Sequence, residues 1–180
     1  AQDGIMLIAT PSGHVIAASF NQDRLMAIDP VTDALAGGAW EPVEAGQVPG
    51  AMEGICDLAL QTAPDPTLYV LFCIGNTVSR IRINDGFGAE TPVFATTGLW
   101  PNRIALWDDH LLILNSGDNN VTGVRLSDGS MLGQVVTLPA ASNPYDLVVG
   151  PDHVTAYVSG LMSHSLFAID LVEGGFAEVR

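Results

Sequence analysis

Leu166-Phe167-Ala168-Ile169-Asp170 is the last of four short apolar segments that recur along the chain and decide its fold. The other three are Arg24-Leu25-Met26-Ala27-Ile28-Asp29, Val78-Ser79-Arg80-Ile81-Arg82 and Val121-Thr122-Gly123-Val124-Arg125. When Leu25, Val78, Val121 and Leu166 are taken as equivalent, the spacings are 53, 43 and 45 residues. Each segment follows two apolar strands and a polar loop. A repeat of this length made of short strands predicts four equivalent small sheets.

Turn-forming residues fall at the same points of each repeat. The turns between first and second strands are Pro11-Ser12-Gly13, Pro64-Asp65-Pro66, Asp108-Asp109 and Pro151-Asp152. The turns between third and fourth strands share a glycine in Asn84-Asp85-Gly86, Ser127-Asp128-Gly129 and Val172-Glu173-Gly174. We expect these glycines to adopt the positive φ that a hairpin turn needs. The first repeat has Pro30-Val31-Thr32-Asp33 at this point instead.

The composition agrees with sheets that are buried on both faces. The chain is 48% hydrophobic and 14% charged, and residues 68–72 and 111–114 are continuous apolar runs. A sandwich with one wet face would alternate more cleanly. The pattern therefore predicts an all-β protein, a β-propeller of four antiparallel four-stranded blades, with an antiparallel sandwich as the alternative. No apolar run approaches the roughly 20 residues of a membrane-spanning helix.

The repeats also predict boundaries within the chain. We expect one β-propeller domain over residues 1–180, with blades at about 1–37, 51–95, 98–138 and 140–180. The glycine- and proline-rich stretch 38–50 is predicted to be a loop insertion between the first two blades, which explains the longer first spacing.

Three segments of the fourth repeat have a familiar pattern. They are Asn143-Pro144-Tyr145-Asp146-Leu147-Val148-Val149-Gly150-Pro151-Asp152, Ala156-Tyr157-Val158-Ser159 and Ser165-Leu166-Phe167-Ala168-Ile169-Asp170-Leu171. Together they resemble one repeat of the YVTN/NHL class of β-propellers, and the other three repeats resemble it less closely. Propellers of this class serve as lactonases, surface-layer components, sensor domains and scaffolds. The resemblance therefore implies a fold but does not assign an activity.

Propellers of that class usually have more than four blades, so the two outermost sheet faces need a cover. The chain could close as a small ring, pair with a copy of itself, or be a piece of a larger protein or assembly, and we slightly favour assembly with something else. The predicted outer faces are Met6, Ile8, Ile16 and Met26 in blade one and Val148, Tyr157, Phe167 and Ile169 in blade four. Bare apolar faces of this kind normally bind a partner or cause aggregation.

The charge of the chain narrows the class of partner. It has 20 acidic residues against six arginines, no lysine, and a formal net charge of −14. Nucleic acids and anionic membrane surfaces are disfavoured, because phosphate binding requires clustered Lys and Arg. An acidic surface attracts basic proteins or divalent cations, although most of these acids fall in predicted turns where water solvates them.

Cys56 lies on a first strand and Cys73 lies near the end of the second strand of the same blade. A disulfide between them is geometrically reasonable, and two buried free thiols are the alternative. The chain begins with Ala1-Gln2-Asp3, as a processed secreted protein would, although a fragment of a longer protein could begin in the same way. We expect a periplasmic or extracellular location.

The axial end of the first strands is the expected place for chemistry. Asp57, Arg103 and Asp146 each stand one residue before the equivalent Leu58, Ile104 and Leu147, so a polar ring of acid, arginine and acid is predicted beside the axis. Some propeller lactonases hold a divalent metal with an acid-and-asparagine set at this place. Glu53, Asn102 and Asn143 loosely resemble that set, which implies calcium as the cofactor of the enzyme alternative.

Two tryptophans lie in predicted loops between blades, Trp40 and Trp100. Exposed aromatic residues on loops suit partner binding, and the alternative is that each ring plugs the end of a blade. His14, His110 and His153 follow first-to-second turns and are predicted to be rim residues. The sequence thus favours a non-catalytic binding or scaffold subunit of a larger or oligomeric extracytoplasmic assembly. A metal-dependent lactonase-like hydrolase is the alternative.

Overall fold

The computed structural model describes residues 5–48, 50–173 and 175–180, and its strands form four antiparallel sheets. Each sheet is built from consecutive strands of one repeat in up-and-down order, so the four sheets are blades one to four. Across these described residues the only helical element is the 3-10 turn Gly38–Trp40. The prediction of an all-β chain of antiparallel blades is confirmed.

The strand bounds of the first two blades follow the predicted turns. Blade one contains β1 Ile5–Ala9, β2 Val15–Ser19, β3 Arg24–Asp29, β4 Ala34–Leu35 and β5 Val43–Glu44. Blade two contains β6 Ile55–Gln61, β7 Thr67–Phe72, β8 Thr77–Arg82 and β9 Glu90–Thr96.

The last two blades have complete inner strands and fourth strands of unequal length. Blade three contains β10 Pro101–Trp107, β11 His110–Asn115, β12 Asn120–Arg125 and β13 Val136–Thr137. Blade four contains β14 Pro144–Val149, β15 Thr155–Gly160, β16 Ser165–Val172 and β17 Gly175–Val179.

The fourth position of blade one is divided between two short strands. β4 pairs with the end of β3, and β5 pairs with its start, opposite Arg24 and Leu25. The chain between β4 and β5 leaves the sheet and forms the 3-10 turn Gly38–Trp40. The loop insertion therefore contributes a strand to blade one in addition to linking it to blade two.

The chain divides into two compact units, residues 1–94 and 95–180. In the first unit, side chains of blades one and two share one apolar core that includes Ile16, Leu25 and Phe72. In the second unit, blades three and four share another core that includes Leu112 and Val158. Burial of these side chains is the main stabilising term in each unit.

The outer face of blade one differs from the predicted one. Met6 and Ile8 pack on the core of the first unit, and Ile16 is fully buried in it. The opposite face presents Leu7 in register with residue 17 and Met26, and Leu7 is 64% exposed. Of the four predicted outer residues only Met26 lies on the outer face, because antiparallel register decides which side chains share a face.

Half of the outer face predicted for blade four is also wrong. Phe167 and Ile169 are buried in the core of the second unit. Val148 and Tyr157 stand opposite each other on the other face, which also carries the 67% exposed Leu166. Successive side chains of a strand point to opposite faces, so Leu166 and Phe167 lie on different faces of blade four.

The glycine predictions for the third-to-fourth turns hold in part. Gly129 has a φ of 75°, as a hairpin turn requires. Gly86 has no positive φ; instead, a Cβ at this position would lie 2.3 Å from the carbonyl oxygen of Ala39. Glycine is needed there because another backbone segment approaches closely. Gly174 lies outside the described residues. No helix within the described ranges is long and apolar enough to span a membrane.

Candidate binding surface

An exposed loop precedes blade three in the second unit. Leu99 is 55% exposed and Trp100 is 66% exposed, although burial of a tryptophan side chain is strongly favourable. Trp100 also has a φ of 49°, in the left-handed region that non-glycine residues seldom adopt. A large apolar side chain is therefore held in solvent by a backbone conformation that has an energetic cost.

Four hydrogen bonds hold the backbone of this loop in place. Asn115 accepts the N–H of Gly98 at 3.0 Å through Oδ1, and Asp118 accepts the N–H of Leu99 at 2.8 Å through Oδ2. The carbonyl oxygens of Leu99 and Trp100 accept the N–H groups of residues 117 and 116, at 3.0 and 3.1 Å. The loop is thus fixed by the β11–β12 turn of its own blade.

These four hydrogen bonds, which we call the loop clamp, depend on close packing of the backbone against side chains. A Cβ at Gly98 would lie 2.5 Å from Oδ2 of Asp118, and a Cβ at Gly117 would lie 2.8 Å from the carbonyl oxygen of Leu99. Asn115 is itself fully buried, and its Nδ2 donates to Asn120 at 2.9 Å. The two glycines and the buried asparagine are what this loop geometry requires.

Further apolar side chains are exposed at the same end of the second unit. Ser116 connects blade three to blade four, because its hydroxyl donates to the carbonyl of Pro144. Within blade four, the N–H of Leu161 donates to the carbonyl of Asn143 at 3.0 Å. Tyr145, Leu161 and Met162 are 53%, 53% and 69% exposed. We call Leu99, Trp100, Tyr145, Leu161 and Met162 the apolar end surface.

Trp40 does not share the exposure of Trp100. It is 6% exposed, its ring stacks on His14 with centroids 4.6 Å apart, and it meets the Phe87 ring edge to face with centroids 5.3 Å apart. The proposal that Trp40 contacts a partner is therefore corrected: this ring closes the core of the first unit. The loop insertion turns back onto its own blades, and that return could not be read from a glycine-rich sequence.

The predicted polar ring is divided between the two units. In the second unit, Nε of Arg103 donates to Oδ1 of Asp146 at 3.0 Å, and the guanidinium lies 5.9 Å from the ring centroid of Tyr145. A second guanidinium nitrogen donates to the carbonyl of Asn102 at 3.0 Å. Asp57 belongs to the first unit, where it is half-buried. Arg103 thus supports the edge of the apolar end surface through Tyr145.

A register shift precedes each of these three polar residues. The pairing of the first strand with the second is interrupted between Ile55 and Asp57, and again before Arg103 and before Asp146. β-Bulges of this kind re-aim a side chain at the rim of a sheet. The recurring bulge shows that the three residues occupy equivalent positions in successive blades.

The predicted metal ligands lie in different surroundings. Oε1 of Glu53 accepts the N–H groups of Gln47 and Val48 at 2.8 and 3.0 Å, while Oε2 is buried without a hydrogen-bond partner. In the second unit, Nδ2 of Asn102 donates to the carbonyl of Tyr145 at 2.8 Å, and Asn143 is exposed. In the described ranges no three His, Cys, Asp or Glu residues are grouped to hold a metal ion. The residues present do not form a hard-cation site.

Cys56 and Cys73 are joined by a disulfide with their Cα atoms 5.8 Å apart. The bond links β6 to the residue after β7, and Cys56 is the extra residue of the bulge between Ile55 and Asp57. The Cα separation lies within the usual range for disulfides.

The structure places two of the three rim histidines at one cavity. His110 and His153 both border a cavity of about 230 Å³ beside Trp107. His110 is only 8% exposed and lies with Nδ1 2.6 Å from Asp109, so it is a buried residue rather than a rim residue. The Nδ1 of His153 lies 3.2 Å from Asp108 and stays exposed.

Asp23 is a structural residue that sequence reasoning missed. It is 3% exposed and its carboxylate accepts the N–H groups of Glu53, Gly54 and Ile55 at 2.5, 2.8 and 3.1 Å. Burial raises the pKa of Asp23, and the three N–H groups offset part of that rise. In the second unit, Asn119 at the equivalent position donates to the carbonyl of Leu138 at 2.8 Å.

The position of Asp23 in the repeat is a signal that could have revealed its hydrogen bonds. Asp23, Asn76, Asn119 and His164 each stand directly before the third strand of a blade, with φ values of 47°, 53°, 54° and 53°. Asp and Asn tolerate the left-handed region better than other side chains. An acid or amide at this point of three repeats therefore predicts a turn, and in Asp23 and Asn119 the side chain binds the segment that enters the next blade.

Comparison with known proteins supports the fold. No family model matches the chain, and no curated protein matches it. Among solved structures, virginiamycin B lyase from Staphylococcus aureus matches with a TM-score of 0.70 and 18% identity, over 96% of this chain and 54% of that one. Hydrazine synthase from Kuenenia stuttgartiensis matches with a TM-score of 0.73 and 17% identity, over 97% and 47%.

A third match comes from a domain described as a β-propeller. The Cps50 (Swd1) β-propeller domain from Myceliophteria thermophila has a TM-score of 0.69 and 12% identity, over 94% of this chain and 54% of that one. The chain thus spans about half the length of the structures it matches. Identities this low show the fold alone, and that fold is the β-propeller.

Proposed function

We propose that this chain is a non-catalytic β-propeller binding or scaffold subunit that recruits a protein through the apolar end surface. The observation that carries the proposal is Trp100, which is 66% exposed and yet held in a left-handed conformation by its clamp. Aromatic anchors dominate the binding energy of many interfaces. A fixed loop also loses little conformational entropy on binding, so its affinity is not reduced by ordering.

Charge indicates the kind of partner. The net charge of −14 and the exposed Asp118 beside Leu99 favour a partner with an apolar pocket surrounded by Arg or Lys. Such a partner would associate faster at low salt, because electrostatic steering falls with ionic strength. We further propose that a partner or a second copy covers the terminal blade faces.

The cellular setting is also a proposal. The disulfide between Cys56 and Cys73 supports a periplasmic or extracellular location, because such bonds persist in oxidising compartments. The lysate used for partner capture should therefore contain no reducing agent.

We also propose that the chain is a member of the YVTN/NHL class. The fourth repeat supports this through Asn143-Pro144-Tyr145-Asp146 and the segments that follow it.

The test compares proteins retained by the immobilised chain, by Trp100→Ala and by Val31→Ala. Val31 is 89% exposed in a turn of the first unit, so its variant controls for loss of any exposed apolar side chain. We expect at least one protein to be retained by the wild type and by Val31→Ala and lost from Trp100→Ala. Identical sets from all three chains would contradict the proposal.

Tryptophan fluorescence gives a second readout once a partner is captured. Trp40 and Trp107 are 6% and 4% exposed, so iodide in solution should quench mainly Trp100. Binding through the apolar end surface should shift the emission to shorter wavelength and protect it from iodide. Unchanged quenching in the complex would place the interface elsewhere.

A metal-dependent lactonase-like hydrolase is the second candidate. One observation favours it: in the first unit, Oε2 of Glu53 is buried without a hydrogen-bond partner, so the fold leaves this one predicted ligand oxygen unused. Calcium titration separates the two functions. A saturable rise in melting temperature together with lactone turnover would favour the hydrolase, and neither effect is expected of the binding subunit.

A further inference from the structure

The trailing face of a blade is the face that carries its equivalent third-strand residue, Leu25, Val78, Val121 or Leu166. Leu25, Val78 and Val121 are each 0% exposed, whereas Leu166 in blade four is 67% exposed. Four equivalent side chains of similar size thus have one outlier. Because the repeats are equivalent, the packing that buries the first three side chains must be missing around Leu166.

The leading face of a blade carries its equivalent first-strand residue, Leu7, Leu58, Ile104 or Leu147. Ile104 and Leu147 are 5% and 6% exposed, and Leu58 packs on the core of the first unit. Leu7 in blade one is 64% exposed. The outlier therefore lies at the opposite end of the repeat order from Leu166.

Each unit shows how leading and trailing faces meet. In the first unit, Leu25 on the trailing face of blade one shares a core with Leu58 on the leading face of blade two. In the second unit, Val121 on the trailing face of blade three shares a core with Leu147 on the leading face of blade four. Two independent blade contacts thus pair a trailing face with a leading face.

We propose that the Leu166 face of one chain docks on the Leu7 face of a second copy, with the same trailing-to-leading geometry that joins blades inside each unit. This inference deepens the proposed function by naming the cover of the terminal blades, and it does not involve the apolar end surface. The contact is heterologous, because different patches meet, so it closes into a ring or extends into larger species.

One further observation favours a second copy over an unrelated protein. The chain itself carries one bare face of each kind, so two copies satisfy both faces without another sequence. Val148 is 59% exposed on the same face as Leu166 and extends the apolar area available for burial.

Charge predicts an unusual salt response for this contact. Two copies that each carry −14 repel one another, and the repulsion is screened as salt rises. We expect the associated fraction to increase between about 0.05 and 0.5 M NaCl. A complex with a basic partner responds in the opposite direction, which separates the two kinds of association.

The experiment measures native mass by light scattering for the wild type, Leu7→Asp, Leu166→Asp and Val31→Asp. The wild type and Val31→Asp should form particles of at least twice the 18.9 kDa chain mass, and the other two should be single chains. Val148→Asp provides a second variant of the same face. Circular dichroism checks that each variant keeps its strands.

Mixing separates this geometry from any other dimer. Leu7→Asp supplies an intact Leu166 face and Leu166→Asp supplies an intact Leu7 face, so an equimolar mixture should recover a heterodimer with one unaltered contact. A single-chain wild type at every salt concentration overturns the proposal. So does an assembly that survives either variant, or a mixture that stays monomeric. If Trp100→Ala no longer retains a partner but keeps the native mass of the wild type, partner binding through the apolar end surface and docking between copies are independent.

Discussion

At the scale of single residues, polar side chains hold the connections between blades. Asp23 receives three backbone N–H groups of the segment that enters blade two, and Asn119 binds the segment that enters blade four. An isolated acid in a loop normally indicates a solvated residue, so the buried role of Asp23 could not be predicted from its type. Its position before a third strand was the available signal.

Asp23→Ala should lower the free energy of unfolding by roughly 1–3 kcal/mol, because buried N–H groups lose their acceptor. Asp33→Ala is the matched control. Asp33 has a similar φ of 53° but is exposed, so its variant reports the cost of a left-handed alanine alone. Urea unfolding of both variants measures the difference. Equal losses would mean that the three hydrogen bonds to Asp23 contribute nothing to the free energy of unfolding.

Asp152 predicts a pH dependence of defined sign. The N–H of Val154 donates to its carboxylate at 3.1 Å, Thr155 contributes further hydrogen bonds, and these hold the pKa of Asp152 below its ordinary value. Its stabilising effect is therefore present above the unfolded pKa of about 3.9 and is lost as pH falls through the lower folded pKa.

The melting temperature of Asp152→Asn should lie below that of the wild type at pH 7, and the gap should close as the pH is lowered past about 4. Asp65→Asn, in the equivalent turn of blade two, accounts for the removal of one turn charge. A gap that widens in acid would contradict the assigned direction.

At the scale of strands and blades, the turns were predictable and the faces were not. Pro11-Ser12-Gly13 and Asp108-Asp109 mark real turns because their chemistry is local. Which of Leu166 and Phe167 faces the core depends on how β16 pairs with β15, and that pairing is set by contacts distant in sequence. Local signals therefore predicted the blades, and the orientation of each strand required the structure.

Blade two provides the prediction at this scale. The disulfide between Cys56 and Cys73 closes a loop with a sequence separation of 17. Its reduction should lower the free energy of unfolding by about 3 kcal/mol, mainly by releasing the unfolded chain from that constraint. Urea unfolding with and without dithiothreitol measures the change, and Cys56→Ser/Cys73→Ser should show no response. Free thiols in the unreduced protein would contradict the pairing.

At the scale of the whole molecule, the composition and the repeat predicted an acidic all-β propeller chain, and the structure agrees on the fold. The candidate binding surface was half predictable. Trp100 and Trp40 occupy similar glycine-rich loops, but only Trp100 is exposed, because the loop of Trp40 folds back onto His14 and Phe87. No local pattern distinguishes a loop that is clamped outward from one that returns to its core.

Photo-crosslinking at position 100 is the sharpest test of the proposal that Trp100 contacts a protein partner. A benzophenone amino acid replaces Trp100 in one sample and Val31 in the other, and both are irradiated in the source cells. Recruitment through the apolar end surface predicts a discrete adduct to another protein from position 100 and none from position 31. No adduct from position 100, or the same adducts from both positions, would contradict the claim.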